Sequence, residues 1–214
     1  MEPILSDRYD LALLYGRRIH QQQIRKGSRN AGQQYYGIPY FSHPMAVSSL
    51  VLEYGGTENE AIAALLHDVL EDGPDFFVPW VDRSLPDLCQ ELTQEFGAEV
   101  VELVLACTQD PDPALDWYQT KQAYLDSLPH KSLSALLVSG ADKLHNASAI
   151  NRDRAQLGEE IWQRFRQGKP GAQWYYGGLR DGFCQECDRH RPDRRYPHLK
   201  ALVDQLAHEI SQFA

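Results

Sequence analysis

Four side chains that can bind a metal ion or move a proton lie within six consecutive residues. They are His67, Asp68, Glu71 and Asp72. In a helix, residues four apart share a side, so His67 pairs with Glu71 and Asp68 with Asp72. Carboxylates buried beside an imidazole need a cation, a proton or a donor to offset desolvation. The stretch therefore predicts a divalent metal site with acid and base groups, and the alternative is a solvated helix edge that contains a histidine by chance.

The sequence around these residues has the signals of a buried helix. Thr57 and Glu60 have the spacing of a capping box, which predicts a helix that begins at the next residue after the threonine. Residues 61–66 are all apolar, so most of this helix should be buried. The pair Gly73-Pro74 ends it. We expect the chemically active side chains along one edge of a single unbroken helix.

Two further segments supply candidate metal ligands. His43 immediately precedes a proline, which suits the first turn of a helix. Asp142 is an acid in the mostly apolar stretch from Ser132 to Ile150, which predicts another helix. Taken singly, His43 is more often a hydrogen-bonded core histidine, and Asp142 is more often a surface acid paired with Lys143. The order His, His-Asp, Asp over three helices favours one shared metal. The predicted ligand set is His43, His67, Asp68 and Asp142.

Several ordered motifs add to this pattern. They are residues 24–27 (IRKG), 39–44 (PYFSHP), 64–72 (ALLHDVLED) and 141–146 (ADKLHN), with a weaker match between residues 95 and 108. Together they resemble the HD-domain hydrolase half of the RelA/SpoT alarmone enzymes. They are most similar to the stand-alone small alarmone hydrolases, the group that includes the metazoan SpoT homologue. The resemblance covers most of residues 7 to 183.

The resemblance implies an activity and a cofactor. It implies an HD-domain helical bundle and a manganese-dependent hydrolase that removes the 3′-pyrophosphate from guanosine tetraphosphate or pentaphosphate, the alarmones of the stringent response. Nitrogen and oxygen ligands together would also accept iron, zinc or cobalt. Glu71 and Asp72 resemble the paired catalytic acids of the family, which orient the attacking water and carry protons.

The same resemblance implies a set of substrate contacts. Arg25 and Lys26 match the arginine-lysine pair that contacts the guanine nucleotide in the family, whereas Arg17 and Arg18 read as a solvated helix end. An arginine can stack on a base and bind phosphate with two donors, while a lysine acts as a point charge. Three residues complete the predicted substrate site, namely Lys143 for transition-state charge, Asn146 for the sugar or phosphate, and Tyr175 as an aromatic contact.

Two alternatives stay open from the sequence. The first is an HD phosphohydrolase that acts on another nucleotide or on a phosphorylated nucleotide cofactor, because the metal ligands do not select a base. The second is an HD domain that binds a nucleotide without hydrolysing it. The complete set of predicted ligands, together with Glu71 and Asp72, disfavours this second alternative. Differences from the family fall on the substrate side, since sixteen residues separate Lys26 from His43.

Composition indicates one compact enzyme domain. The chain has 214 residues, of which 43% are hydrophobic and 24% charged. Its net charge of −9 disfavours a nucleic-acid polymer as partner and suits a small anionic substrate bound by a local basic cluster. We expect no membrane span and a cytoplasmic protein with reduced thiols. Cys184 and Cys187 form only half of a zinc motif, and the sequence makes no prediction of oligomeric state.

Periodicity predicts helices almost throughout, with no sustained strand pattern. The fold class is therefore all-α, as a single domain. We expect residues 1–183 to form the metal-dependent phosphohydrolase, and residues 184–214 to add a loop and a helix that pack on it. The expected helices begin near Asp7 and Ser84 and also cover residues 116–127, 156–166, 174–183 and 198–213. Residues 27–36 and 184–197 are expected to be loops, the first with glycines and tyrosines suited to a substrate lid or to a tolerated insertion.

Overall fold

The computed structural model describes residues 4–25, 37–71, 84–109 and 114–213. Helices and turns account for nearly all of these residues, and the described ranges contain no strand apart from an isolated bridge between Ile24 and Pro39. The predicted all-α fold is confirmed. The chain separates into two compact units, residues 1–109 and 110–214. The predicted division at residue 183 stays a prediction.

The first unit contains five helices with defined bounds in the described ranges. They are α1 (Asp7–Ile19), α2 (Ser42–Glu53), α3 (Glu58–Leu66), α4 (Leu85–Phe96) and α5 (Ala98–Cys107). Helix α3 packs against α1, α2 and α5. Its residues from Ala61 to Leu66 are fully buried. This central helix leads directly to the His67-Asp68 pair.

Local signals set the ends of these helices. The predicted capping box is present at α3, where Thr57 accepts the Glu60 N–H and the Glu60 carboxylate accepts the Thr57 N–H. Ser84 begins α4 in the same way with Asp87. Gly97, with φ of +85°, separates α4 from α5, because this backbone conformation favours glycine. The predicted break at this glycine is confirmed.

A glycine allows α1 to approach its neighbours closely. A Cβ atom added at Gly16 would lie 2.8 Å from a ring carbon of Phe41 and 3.0 Å from the carbonyl oxygen of Leu65. Both distances are shorter than ordinary contacts between carbon and its neighbours. Phe41 directly precedes α2 and Leu65 lies in α3. Gly16 of α1 therefore lies close to the segment that leads to His43 and to the one that leads to His67.

The second unit contains four α-helices in its described part. They are α6 (Trp117–Ser127), α7 (Leu133–Leu157), α8 (Gly168–Arg189) and α9 (Tyr196–Ser211), with short 3-10 helices at Leu128–His130 and Gly158–Arg164. Helix α9 packs on α7 and α8. At Gly140 of α7, an added Cβ would lie 2.7 Å from a terminal methyl carbon of Leu202, so α7 and α9 are in close contact there.

Three sequence-based boundaries in this unit are wrong. The stretch 156–166 is mainly a 3-10 helix, because α7 continues to Leu157 and Gly158 then turns with φ of +62°. Helix α8 begins at Gly168 and ends at Arg189, so it is longer than the predicted 174–183. Residues 184–189, predicted as the start of a loop, are its last turns.

Candidate metal centre

His67 and Asp68 lie in a turn that directly follows α3. Residues 69–71 are helical again, so the prediction of an unbroken helix is wrong at these two positions. A side-chain contact accompanies the break, since the His67 Nδ1 atom lies 2.8 Å from the carbonyl oxygen of Ala64. In a continuous α-helix that carbonyl would accept the N–H of Asp68. The ring of His67 reaches the same acceptor.

The contact with Ala64 determines the tautomer of His67. A carbonyl oxygen only accepts hydrogen bonds, so a neutral His67 carries its proton on Nδ1. The Nε2 atom then carries a lone pair, and it is the atom that a metal ion can bind. This nitrogen lies 3.0 Å from Oδ2 of Asp68, and the histidine is 3% exposed. A histidine oriented through its second nitrogen is the usual arrangement in protein metal sites.

His43 lies in the first turn of α2, as the sequence predicts. Its main-chain N–H donates to the carbonyl oxygen of Tyr40 at 2.8 Å. Its ring meets the His67 ring edge to face, with centroids 5.1 Å apart. Its Nε2 atom lies 3.8 Å from the same Oδ2 of Asp68. The two imidazoles therefore converge on one carboxylate oxygen.

His43, His67 and Asp68 each offer a ligand atom, and these atoms lie within 4.8 Å of one another. Two imidazoles and a carboxylate suit a first-row divalent transition metal, and three protein ligands leave positions for water and substrate. Both histidines are buried, so the site also limits competition from bulk water. The donor set fits a catalytic divalent ion, although it does not select manganese over its neighbours.

The sequence interpretation missed the hydrogen-bonding role of Tyr40. Its hydroxyl donates to Oδ2 of Asp68 at 2.5 Å. Its ring lies 5.1 Å from the His20 ring and 5.7 Å from the His43 ring, measured between centroids. Its position three residues before His43 was the available signal, because residues at that spacing approach each other at the start of a helix.

Glu71 is exposed, and its carboxylate accepts a hydrogen bond from the main-chain N–H of Gln109. Gln109 lies two residues after the end of α5, so two segments of the first unit converge at this acid. The interaction holds the carboxylate in a solvent-accessible position, as a group that handles water requires. The second predicted acid, Asp72, lies outside the described residues.

Asp142 lies in α7 of the second unit and is 7% exposed. Lys143 Nζ donates to its Oδ2 at 2.6 Å, and Asn146 Nδ2 donates to its Oδ1 at 2.6 Å. Three predicted site residues are therefore brought together on one helix. Whether Asp142 shares an ion with His67 stays a prediction.

Lys143 carries a stabilised positive charge. Burial acts to lower its pKa, but the carboxylate of Asp142 and the hydroxyls of Tyr124 and Tyr175 hold the pKa of Lys143 well above its ordinary value. Its ammonium also lies 4.8 Å from the centre of the Tyr124 ring. The side chain is therefore a fixed cation at neutral pH.

The remaining predicted substrate contacts are partly described. Tyr175 is buried, with its ring 6.4 Å from Tyr124 and 5.1 Å from the ammonium of Lys121. Arg25 is half-buried, and its main-chain N–H donates to the Ile38 carbonyl oxygen at 2.9 Å. Lys26 and the whole predicted 27–36 loop lie outside the described residues. Contact of any of these side chains with a nucleotide stays a prediction.

The helical fold and the cluster of His43, His67 and Asp68 together are typical of one class of protein. A comparison with family models identifies the same class. The model described as HD domain matches residues 19–171. The chain belongs to the HD-domain family. The match includes residues of both compact units.

Individual proteins similar in sequence to this chain give a more specific comparison than the family model. The human guanosine-3′,5′-bis(diphosphate) 3′-pyrophosphohydrolase MESH1 is 34% identical over 140 residues, which is 64% of this chain and 66% of that protein. The Escherichia coli K12 bifunctional (p)ppGpp synthase/hydrolase SpoT is 28% identical over 145 residues, covering 65% of this chain and 17% of that protein. The chain thus matches just under two thirds of the human relative's length.

A solved structure gives the same fold. A metazoan ortholog of SpoT that hydrolyses ppGpp superimposes with a TM-score of 0.61 and 22% sequence identity. The alignment covers 100% of this chain and 96% of that one. The similarity extends along the whole length of both proteins and supports the HD-domain fold.

Proposed function

We propose that this chain is a manganese-dependent hydrolase that removes the 3′-pyrophosphate from guanosine tetraphosphate or pentaphosphate. The observation that carries the proposal is the cluster of His43, His67 and Asp68, whose ligand atoms lie within 4.8 Å of one another. Support for this particular substrate comes from relatives that are named as 3′-pyrophosphohydrolases of guanosine-3′,5′-bis(diphosphate). Asp142 is the proposed fourth ligand.

The proposed reaction forms one bond to phosphorus and breaks another. The oxygen of water forms a bond to the proximal phosphorus of the 3′-diphosphate, and the bond from that phosphorus to the ribose 3′-oxygen breaks. A proton moves from the water to the leaving oxygen, directly or through protein groups. The products from the tetraphosphate are guanosine diphosphate and pyrophosphate. A divalent ion held at this centre would supply Lewis-acid chemistry, polarising the phosphoryl group and lowering the pKa of the attacking water.

The protein groups have separate roles in this proposal. His43, His67, Asp68 and Asp142 would hold the ion. Glu71 orients the water and takes its proton, and Asp72 returns a proton to the leaving oxygen. The position of Glu71 supports its role, because the carboxylate is exposed and is anchored by the Gln109 N–H.

Five residues are proposed to bind the nucleotide. They are Arg25, Lys26, Lys143, Asn146 and Tyr175. The charge of Lys143, whose pKa is raised, supports a contact with phosphate oxygens. Its neighbour Asn146 has amide donors of the kind that bind sugar or phosphate oxygens.

The proposed partner is a small anionic nucleotide rather than a nucleic-acid polymer or a membrane. The net charge of −9 would repel an extended polyanion. Among the described residues, no helix has both the length and the apolar character needed to cross a bilayer. We propose a cytoplasmic location, where guanine nucleotides are available as substrates.

A metal analysis followed by a nucleotide panel tests the function. Purified protein is stripped with a chelator, reloaded with manganese, and incubated with guanosine tetraphosphate, pentaphosphate and nucleotides that carry 3′- or 2′-phosphates. We expect guanosine diphosphate from the tetraphosphate and guanosine triphosphate from the pentaphosphate, each with an equal amount of pyrophosphate that carries the label from ¹⁸O-water. Turnover of a different nucleotide alone would assign another substrate. Tight binding without turnover would assign a non-catalytic domain.

A pair of variants tests the fourth ligand. Asp142→Asn should lose metal affinity and turnover, because an amide is a weaker ligand than a carboxylate. Asp153→Asn is the matched control on the same helix, since Asp153 forms a partly exposed ion pair with Arg164 at 2.9 Å. Metal content and rate equal to wild type in Asp142→Asn would remove this residue from the ligand set.

A further inference from the structure

Tyr40 is held on several sides next to the candidate metal centre. Its main-chain N–H donates to the Gln23 carbonyl oxygen at 2.9 Å, and its own carbonyl oxygen accepts the His43 N–H at 2.8 Å. Its ring lies between the rings of His20 and His43, at centroid distances of 5.1 and 5.7 Å. His20 is itself buried, with its Nδ1 atom 2.6 Å from Oε1 of Gln23. The tyrosine ring therefore has a well-defined position.

The hydroxyl of Tyr40 meets the atom on which the centre converges. It donates at 2.5 Å to Oδ2 of Asp68, the oxygen that lies 3.0 Å from His67 Nε2 and 3.8 Å from His43 Nε2. The terminal torsion of an aspartate is soft, so a carboxylate can rotate unless a partner fixes it. A donor held by its own packing supplies that restraint.

We propose that Tyr40 is a positioning residue that orients the Asp68 carboxylate for metal binding. The inference rests on the metal centre of the proposed function. Tyr40 acts through Asp68 rather than on the substrate. Outer partners of metal ligands typically change metal affinity by about 10- to 100-fold when they are removed. The hydroxyl, rather than the ring, is the group that matters.

Tyr40→Phe isolates the hydroxyl, because phenylalanine keeps the ring that packs against His20 and His43. The matched control is Tyr9→Phe. Tyr9 lies in the same unit, and its hydroxyl lies 2.9 Å from Oγ of Ser48. Ser48 donates its own hydrogen to the Ala61 carbonyl oxygen, so Tyr9 is the donor in that pair. Both variants thus remove one hydrogen-bonding tyrosine hydroxyl, and only one of these contacts a candidate ligand.

The experiment measures metal binding without any nucleotide. Chelator-treated wild type and both variants are titrated with Mn²⁺, and a parallel set is loaded with Co²⁺ for its visible absorption spectrum. We expect Tyr40→Phe to bind Mn²⁺ about 10- to 100-fold more weakly and to change the cobalt spectrum. We expect Tyr9→Phe to match wild type in both. Thermal unfolding of the metal-free proteins checks that each variant folds.

The outcomes distinguish this inference from the proposed function. Wild-type affinity and an unchanged cobalt spectrum in a folded Tyr40→Phe would overturn the positioning role. Equal weakening in Tyr9→Phe would also overturn it, because the effect would then be general to the unit. Absence of metal binding by wild type would overturn both the centre and the inference. Wild-type protein that binds metal but leaves guanosine tetraphosphate intact would overturn only the proposed substrate.

Discussion

The Nδ1 atom of His67 and the carbonyl oxygen of Ala64 lie 2.8 Å apart, and this contact orients the imidazole ring. One ring nitrogen is bound to the backbone of α3. The other lies 3.0 Å from Asp68 Oδ2. His67 thus shapes the turn and, in the proposed metal centre, would also supply a ligand atom.

His67→Asn should separate these functions. An asparagine amide can donate to the Ala64 carbonyl oxygen, but it has no second nitrogen to replace Nε2. We expect the metal-free variant to unfold near the wild-type temperature and to lose the stabilisation that added Mn²⁺ gives wild type. Thermal unfolding with and without the ion measures both effects. His130→Asn, at an exposed histidine, is the control. Full metal content in His67→Asn would remove His67 from the ligand set.

Glu71→Gln should affect rate without affecting metal content. Glutamine keeps an oxygen that can accept the Gln109 N–H, but it cannot take a proton from water. We expect kcat to fall by about 10²- to 10⁴-fold while bound Mn²⁺ stays unchanged. Glu53→Gln is the control, since Glu53 is an exposed acid that accepts only a local bond from Ser49 at 2.9 Å. An unchanged kcat would transfer the base role to Asp72.

The raised pKa of Lys143 predicts a specific pH dependence of stability. Because its pKa is higher in the folded state than in the unfolded state, its charge favours folding most below the ordinary value of 10.5. This contribution should be lost as pH rises through the folded-state pKa. We expect the unfolding free-energy difference between wild type and Lys143→Met to be level from pH 7 to 10 and to change above 10.5. Denaturant titrations along this series measure it, and a change that begins below pH 9 would contradict it.

Arg25→Ala should raise KM for guanosine tetraphosphate, because a guanidinium that contacts the nucleotide contributes to its binding. A charge-assisted contact of about 1.5 kcal/mol corresponds to roughly a tenfold change. Arg17→Ala is the control, since it removes one exposed charge from the last turn of α1. Steady-state kinetics with metal-saturated enzyme measure both. Equal changes in the two variants would indicate only a general charge effect.

Local sequence signals predicted much of the fold. The start of α3 was predictable, because Thr57 and Glu60 form a motif that operates within four residues. The turn at His67 was not, since the apolar pattern continues through it and the break involves a contact between a side chain and the backbone. The residue types predicted the candidate ligands, but not the hydrogen bond from Tyr40 to Asp68, because these two residues lie 28 apart along the chain.

The first and last residues of α8 were also predicted wrongly, for a different reason. The helix was predicted to begin only near Trp174, whereas it begins at Gly168. A proline in the first turn of a helix needs no hydrogen-bonded N–H, so Pro170 is compatible with the observed start. Gly171 is buried, and an added Cβ would lie 2.2 Å from the Cβ of Gln167. The glycine there serves close packing, which local propensity does not report.

The tight contact at Gly16 limits how this protein could be engineered. Any side chain at this position would push on Phe41, two residues before His43, and on the Leu65 carbonyl, two residues before His67. A single added methyl group would therefore press on both histidine-bearing segments at once, without touching either histidine. In a mutant library aimed at a new substrate, position 16 should stay glycine while diversity is placed at exposed positions of α1 such as Arg17.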